Sequence, residues 1–403
     1  MRAIMPEMLY IDPDQFLIDA FRLGKRVYED GFRPKHAISI WRGGTPVGLG
    51  VDAFFRSRGL TLSHTTIATG SYTAIGQQGE VTVKNLEHLV QVVCPEDGLL
   101  IIDDVYESGN TIAKIVELLR SMARANCPTD IRVATVHSKP GRAQHQDLPL
   151  YVLHEVEDRV WIDYPHELAD LVADDDPNDA ALRKKDEEIW RILHGPAPQP
   201  SVLSDNPRGY HYLSGRRLHL DSIRLGVQIA RDASWRPDFL IALWPGGVLS
   251  GLPVHEVYKY ELRKHGGGVI PDHISINTQP TRSSFRSAIV GLNYLSERIN
   301  KEDDVLIIDT TFRAGKLVND VVMRLKEVLR RNLNHKRIRV ASVYYNPDDR
   351  STWTVQPFFK KPHYHLHQVG QEVIYPSSPH KLQNARADLR ELDPKLAKVL
   401  FDD

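Results

Sequence analysis

Leu99-Leu100-Ile101-Ile102-Asp103-Asp104-Val105-Tyr106-Glu107-Ser108-Gly109-Asn110-Thr111 decides how the chain is read. Four apolar residues in a row predict a buried strand, most easily one in a parallel sheet covered on both faces. Two carboxylates follow where the strand leaves the sheet, then a tight Ser-Gly-Asn-Thr turn, then helical periodicity from Ile112 to Arg120. A turn feeding a helix N-terminus presents unpaired N–H groups and the positive end of the helix dipole, which suits a phosphate. The acids before it suit ribose hydroxyls and a magnesium ion, a hard cation that takes oxygen ligands.

Upstream, Phe16, Leu17, Ala20, Phe21, Leu23 and Val27 predict a helix over 14–30, closed by Gly31. Ala37–Trp41 reads as a short buried strand. It runs into Arg42-Gly43-Gly44-Thr45-Pro46, after which helical periodicity resumes from Val47 to Arg56. Two glycines beside an arginine let a backbone approach an anion closely, although a plain turn has the same composition. From His64 a strand passes into Thr69-Gly70-Ser71-Tyr72-Thr73-Ala74-Ile75-Gly76-Gln77-Gln78-Gly79-Glu80, whose low apolar content predicts a loop of functional length. Downstream, Asp130–Val136, Leu150–Glu155 and Val160–Pro165 read as further strands, and Ser138-Lys139-Pro140 follows the first of them.

The bulk numbers restrict the function class. A chain of 403 residues predicts two or three domains. With 51 basic and 52 acidic residues, nothing points to nonspecific nucleic-acid binding. Cys94 and Cys127 lie too far apart in sequence for a zinc or disulfide framework, which fits a reducing cytoplasm. The first residues lack the apolar core of a signal peptide, and no apolar run approaches the roughly 18 residues that span a bilayer. A soluble cytoplasmic protein is expected, with no membrane partner.

The thirteen-residue stretch closely resembles the PRPP-binding motif of type I phosphoribosyltransferases. Arg42-Gly43-Gly44, Lys139-Pro140 and Trp161-Ile162-Asp163 are similar to the xanthine-guanine and hypoxanthine branch of that family. The resemblance implies transfer of phosphoribose from PRPP to a 6-oxopurine-like base, with Mg²⁺ as cofactor and pyrophosphate as second product. It implies that Asp103 and Asp104 hold ribose hydroxyls and metal, and that Glu107 handles the N7 proton of the base. Ser108, Gly109, Asn110 and Thr111 would take the 5′-phosphate, and Arg42, Gly43 and Gly44 the pyrophosphate. Ser71 and Tyr72 match a loop that closes over PRPP, but Gln78-Gly79-Glu80 stands where relatives carry a basic residue. Lys139 would meet O6 and Trp161, beside Ile162, would stack on the base. Asp163 would accept from the base edge or complete the metal set with Asp103 and Asp104.

The second half repeats the first. Phe21-Arg22-Leu23-Gly24 returns as Ile223-Arg224-Leu225-Gly226, Trp41-Arg42-Gly43-Gly44 as Trp244-Pro245-Gly246-Gly247, and the central motif as Val305–Leu317. Apolar positions persist while Asp104 becomes Thr310, Glu107 becomes Arg313, Ser108 becomes Ala314 and Lys139 becomes Asn346. The expectation is an α/β protein of two tandem Rossmann-like type I phosphoribosyltransferase domains, each a mostly parallel sheet with a small hood. The catalytic domain spans 1–172, a Pro-rich linker 173–208, a degenerate domain 209–385 and a tail 386–403. The two copies would form a pseudo-dimer within one chain, with a homodimer of chains also open. A non-catalytic PRPP or nucleotide sensor is the alternative, as is an enzyme for an unusual heterocycle.

Overall fold

The computed structural model describes residues 7–71, 81–171, 178–265, 268–278, 295–348 and 357–402. It divides into two compact units, one of Met1–Tyr164 with Pro376–Asp403 and one of Pro165–Tyr375. Both are α/β, with mostly parallel sheets flanked by helices. Among the described residues no helix is long and apolar enough to cross a membrane.

The first unit runs β1 (Glu7–Tyr10), α1 (Pro13–Glu29), β2 (His36–Trp41), α2 (Gly44–Ser57), β3 (Ser63–Ser71), β4 (Val81–Lys84) and α3 (Glu87–Val92). It continues with β5 (Gly98–Tyr106), α4 (Asn110–Ala123), β6 (Asp130–Ser138), β7 (Leu150–Glu155) and β8 (Val160–Asp163). Its main sheet has the order β4-β3-β2-β5-β6-β7, parallel except where β4 turns back on β3. Leu99 to Ile102 lie fully buried at the centre of that sheet, as an unbroken apolar run in a doubly covered strand should. On one face, α3 and α4 pack Leu89, Ile115 and Leu119 against Ile38, Ile101 and Val133. On the other face α1 and α2 cross closely, because Gly24 and Gly50 remove the side chains that would separate them. A Cβ on Gly50 would lie 2.4 Å from that of Ala20. Asp12 caps α1, accepting from the amides of Asp14 and Gln15 at 2.9 and 3.0 Å. A separate parallel pair, β1 with β8, lies outside the main sheet.

The second unit holds α5 (Ala180–Lys185), α6 (Glu187–His194), β9 (Ser201–Val202), β10 (Tyr210–Tyr212), α7 (Gly215–Ala230), β11 (Phe239–Trp244), α8 (Val248–His265) and β12 (Asp272–Asn277). Then come β13 (Val305–Arg313), α9 (Lys316–Leu329), β14 (Ile338–Asn346), β15 (Tyr364–Gln368) and β16 (Glu372–Ile374). Its sheet has the order β12-β11-β13-β14-β15-β9, and β10 pairs with β16. The chain ends in α10 (Ala385–Leu392) and α11 (Pro394–Phe401), which belong to the first unit.

The boundaries therefore differ from those expected at 172, 208 and 385. Leu182, Ile189 and Leu193, expected in a linker, are buried against Leu220, Ile223 and Val257, and the segment that follows adds β9 beside β15. The expected tail is a packed element. Leu389, Leu396, Val399 and Leu400 are buried, α11 packs on α1, and the Leu400 and Asp402 carbonyls accept from Arg58 and Lys25 at 2.9 Å. In both segments an apolar helical face had to be covered, and covering it overrides the polar composition of the surrounding sequence. Leu396→Ala should cost about 2–4 kcal/mol in urea unfolding and speed amide exchange in α1. Unchanged exchange there would show that the terminal helix does not support the first unit.

Candidate functional site

The strand β5 runs on past its acids. Asp103 is still paired with Thr135 of β6, and the ladder ends only at Tyr106 opposite Ser138. The Asp104 amide donates to Asp103 Oδ1 at 3.0 Å and the Val105 amide to Asp104 Oδ1 at 2.8 Å. Burial, and next the charge of Asp104, raise the Asp103 carboxyl well above its ordinary range.

Glycine explains what faces these acids. α2 begins at Gly44, earlier than the periodicity from Val47 predicted, so the glycine pair is the start of the helix and not a free loop. A Cβ on Gly43 would lie 1.9 Å from Asp104 Oδ2, and one on Gly44 2.4 Å from the Ile102 carbonyl. Only glycine lets the N-terminus of α2 reach the end of β5. The Trp41–Arg42 peptide is cis, and the Arg42 carbonyl accepts from the Thr45 amide at 3.2 Å and its hydroxyl at 2.6 Å.

The loop into α4 is braced from behind. Gly109 has φ +79° and a Cβ there would lie 2.3 Å from the Tyr106 hydroxyl, so the turn requires glycine on both counts. Tyr106 donates to the His145 carbonyl, and the Ser108 carbonyl accepts from Gln144 N at 3.0 Å. The His145 ring meets Asn110 Oδ1 at 2.9 Å. Gly109 gives α4 no side-chain cap. Beside it, Glu107 Oε1 accepts from both Lys139 and Arg142, the latter at 3.3 Å. Lys139 is held by its own amide, which donates to the Tyr106 carbonyl at 2.8 Å.

The expected base-binding residues of β8 are split. Trp161 is 50% exposed, whereas Ile162 and Asp163 are buried. Asp163 pairs in register with Tyr10 of β1 and its charge, after burial, raises the Tyr10 hydroxyl pKa. Among the described residues no three His, Cys, Asp or Glu side chains are placed to hold a metal ion. The expected set of Asp103, Asp104 and Asp163 is thus not assembled from protein groups among those residues; Asp163 lies in the β1–β8 pair and the other two lie within β5 of the main sheet. Tyr164 ties the two parts together, donating to the Asp104 carbonyl at 3.2 Å and meeting His137 Nδ1 at 2.9 Å. Arg142 does the same through the Asp158 carbonyl at 2.8 Å. Ser71 ends β3 opposite Val81. Tyr72 and residues 73–80 lie outside the described residues. Sequence reading missed Arg142, His145 and Tyr164. Arg142 had a signal, since Lys139-Pro140-Gly141-Arg142 puts two cations on one tight turn.

In the second unit the end of β13 carries Thr310, whose hydroxyl donates to the Gly246 carbonyl, and Arg313, which pairs with Glu372 at 3.4 Å. A cavity of about 350 Å³ opens there, lined by Asp309, Thr311, Arg313, Gly315 and Lys316 among others.

No family model matches the chain. Solved structures similar to it include a hypothetical protein from Neisseria gonorrhoeae with bound ppGpp, at 19% identity over 46% of this chain and 98% of that one, TM-score 0.35. A purine phosphoribosyltransferase from Pyrococcus horikoshii matches at 17% identity, 42% of this chain and 95% of that one, TM-score 0.30. Xanthine-guanine-hypoxanthine phosphoribosyltransferase from Helicobacter pylori matches at 18% identity, 39% and 92%, TM-score 0.32. Each likeness covers less than half of this chain.

Proposed function

We propose that the first unit transfers the 5-phosphoribosyl group from PRPP to a purine-like oxo-heterocycle. One observation carries the reading. A single strand end brings together two acids, a glycine-opened helix N-terminus and a glutamate paired with a lysine from the neighbouring strand. Asp103 and Asp104 take the ribose hydroxyls, the amides of Ser108 to Thr111 the 5′-phosphate, and Arg42 to Gly44 the pyrophosphate. Ser71 and Tyr72 would close over PRPP. Lys139 donates to the oxo group, half-exposed Trp161 offers a π-face, and Asp163 accepts from the base edge through the hood. A bond forms from a ring nitrogen of the base to C1 of the ribose. The C1–oxygen bond to pyrophosphate breaks with its electron pair on the leaving group, and the ring proton passes to Glu107.

Two adjacent carboxylates, one raised by burial and next by the other's charge, are a donor set that fits a hard cation. Mg²⁺ held by Asp103, Asp104 and PRPP oxygens would supply neutralisation of the leaving pyrophosphate. The protein's own contribution is positioning and preorganised charge.

We also read the chain as a tandem duplication with a degenerate second copy. The strand orders β3-β2-β5-β6-β7 and β12-β11-β13-β14-β15 support it, as do the parallel hood pairs β1-β8 and β10-β16. With Thr310 and Arg313 in place of an acid and Glu107, the second unit serves structure, not transfer. The cavity at β13, lined by Arg313 and Lys316 beside Asp309 and Asp320, favours a second reading, a unit that senses PRPP or a nucleotide. Pyrophosphate release from PRPP, Mg²⁺ and a panel of nucleobases separates the readings; PRPP binding without release from any base leaves only the sensor.

Glu107→Gln should lower turnover by about 10²–10³-fold while PRPP affinity by calorimetry stays within about twofold. Asp309→Asn should leave turnover intact, and equal losses in the two variants would mean that the second site is used. Asp103→Asn should separate stability from function. A carboxyl raised on folding contributes stability that is present at low pH and lost as pH rises toward its folded value. Removing it should raise Tm at neutral pH by about 2–4 °C and abolish PRPP binding. A lower Tm would show that the acid is needed by the fold.

A further inference from the structure

We infer that Arg142 makes the base site selective for an anionic oxo-heterocycle, one that brings delocalised negative charge to the edge facing Lys139. The inference rests on the phosphoribosyl-transfer reading and names its substrate class. Lys139 and Arg142 leave one short turn, closed by the Arg142 amide on the Lys139 carbonyl at 3.0 Å, and both reach the same oxygen of Glu107. One carboxylate is therefore shared by two cations. The Lys139 side chain is only 5% exposed, so its ammonium has lost most of its water and depends on a partner. Glu107 and Arg142 are 39% and 49% exposed, so the outer side of the cluster is open to an incoming molecule.

Arg142 does not swing freely, because its other nitrogen is fixed on the Asp158 carbonyl at 2.8 Å. The Asp158 carboxylate packs on the Gly141 backbone, where a Cβ would lie 2.1 Å from its Oδ2. It tempers the local excess of positive charge. Among the described residues, though, Glu107 is the carboxylate that both cations contact. When Glu107 turns to take the ring proton, the two cations lose their shared anion. A neutral carbonyl offers Lys139 one ordinary acceptor and leaves the guanidinium without a charge partner. An ionised ring oxo system answers both, through charge-assisted hydrogen bonds about twice as strong as neutral ones. The sequence from the end of β14 reads Asn346-Pro347-Asp348-Asp349, so neither cation has a counterpart where the other site residues also differ.

The test is pyrophosphate release with PRPP and Mg²⁺ at a pH where xanthine carries its ring anion and hypoxanthine is neutral. The full chain should favour xanthine in kcat/KM by about tenfold or more. Arg142→Gln should lower the xanthine-to-hypoxanthine ratio by about tenfold, mainly through KM for xanthine. Arg142→Lys, which keeps the charge without the fork, should restore part of it. Quenching of tryptophan fluorescence by each base repeats the comparison without turnover. A ratio unchanged in Arg142→Gln, or a wild-type preference for hypoxanthine, overturns the selectivity while leaving phosphoribosyl transfer standing. No release with any base overturns the transfer reading itself, and the inference with it.

Discussion

The structure of the first unit depends on one close approach, the N-terminus of α2 seated on the end of β5. Gly43 and Gly44 face Asp104 and the Ile102 carbonyl at separations no side chain could share. That contact fixes where the strand's acids stand relative to the first helix after β2. It also brings the backbone of Arg42 to Gly44 to the same edge as the loop that opens α4. Tyr106 and His145 hold that loop from behind.

With the two units taken as copies, their polar networks separate what the fold needs from what chemistry needs. In the first, Asp19 bonds Arg22 at 2.8 Å and His154 at 3.3 Å, His154 lies beside the His137 ring, and His137 meets Tyr164. In the second, Asp221 bonds Arg224 at 2.9 Å and contacts His367 at 3.4 Å, Tyr344 stacks on His367 and donates to Asp221 at 2.8 Å, and Tyr375 meets Thr311. Where such a hydrogen-bonded polar chain is buried it is costly to break. Burial, then His154, lowers the His137 pKa to about 4, so a tyrosine can replace it without removing a charge. Asp104 touches that chain through its carbonyl, which accepts from Tyr164, whereas Glu107 and Lys139 pair with each other; Thr310, Arg313 and Asn346 stand at the matching places of the second unit.

Periodicity and turn chemistry made most of the fold legible. The apolar run of β5, the glycine after α1 and the helical spacing in α1, α2 and α4 each state a local physical requirement, and each is met. The boundaries were not legible. Which surface a short amphipathic helix covers depends on what other surfaces remain bare, and Leu182 or Leu396 alone carries no address. The same limit applies to the candidate site. Asp103, Asp104, Glu107 and Gly109 announce themselves by sitting in one string. Arg142, His145 and Tyr164 enter through hydrogen bonds to residues some 35 to 60 positions away, which no local pattern encodes.

The charge arrangement at the strand end has a consequence for stability as well as chemistry. Asp103 carries a carboxyl whose ionised form the fold disfavours, held there by packing that would tolerate a neutral group more easily. A sequence optimised for folding alone would not keep two adjacent acids at the end of a central strand. In the second unit the same place holds Asp309 followed by a threonine, whose hydroxyl turns inward to the Gly246 carbonyl and needs no counter-charge. The exchange of Asp104 for Thr310 leaves the acid there without a neighbouring like charge. The acid pair in the first unit is then best understood as a cost that binding offsets, because a ligand bringing positive charge and hydroxyl donors stabilises the ionised pair. In the phosphoribosyl-transfer reading, stability and ligand binding are coupled at this one strand end.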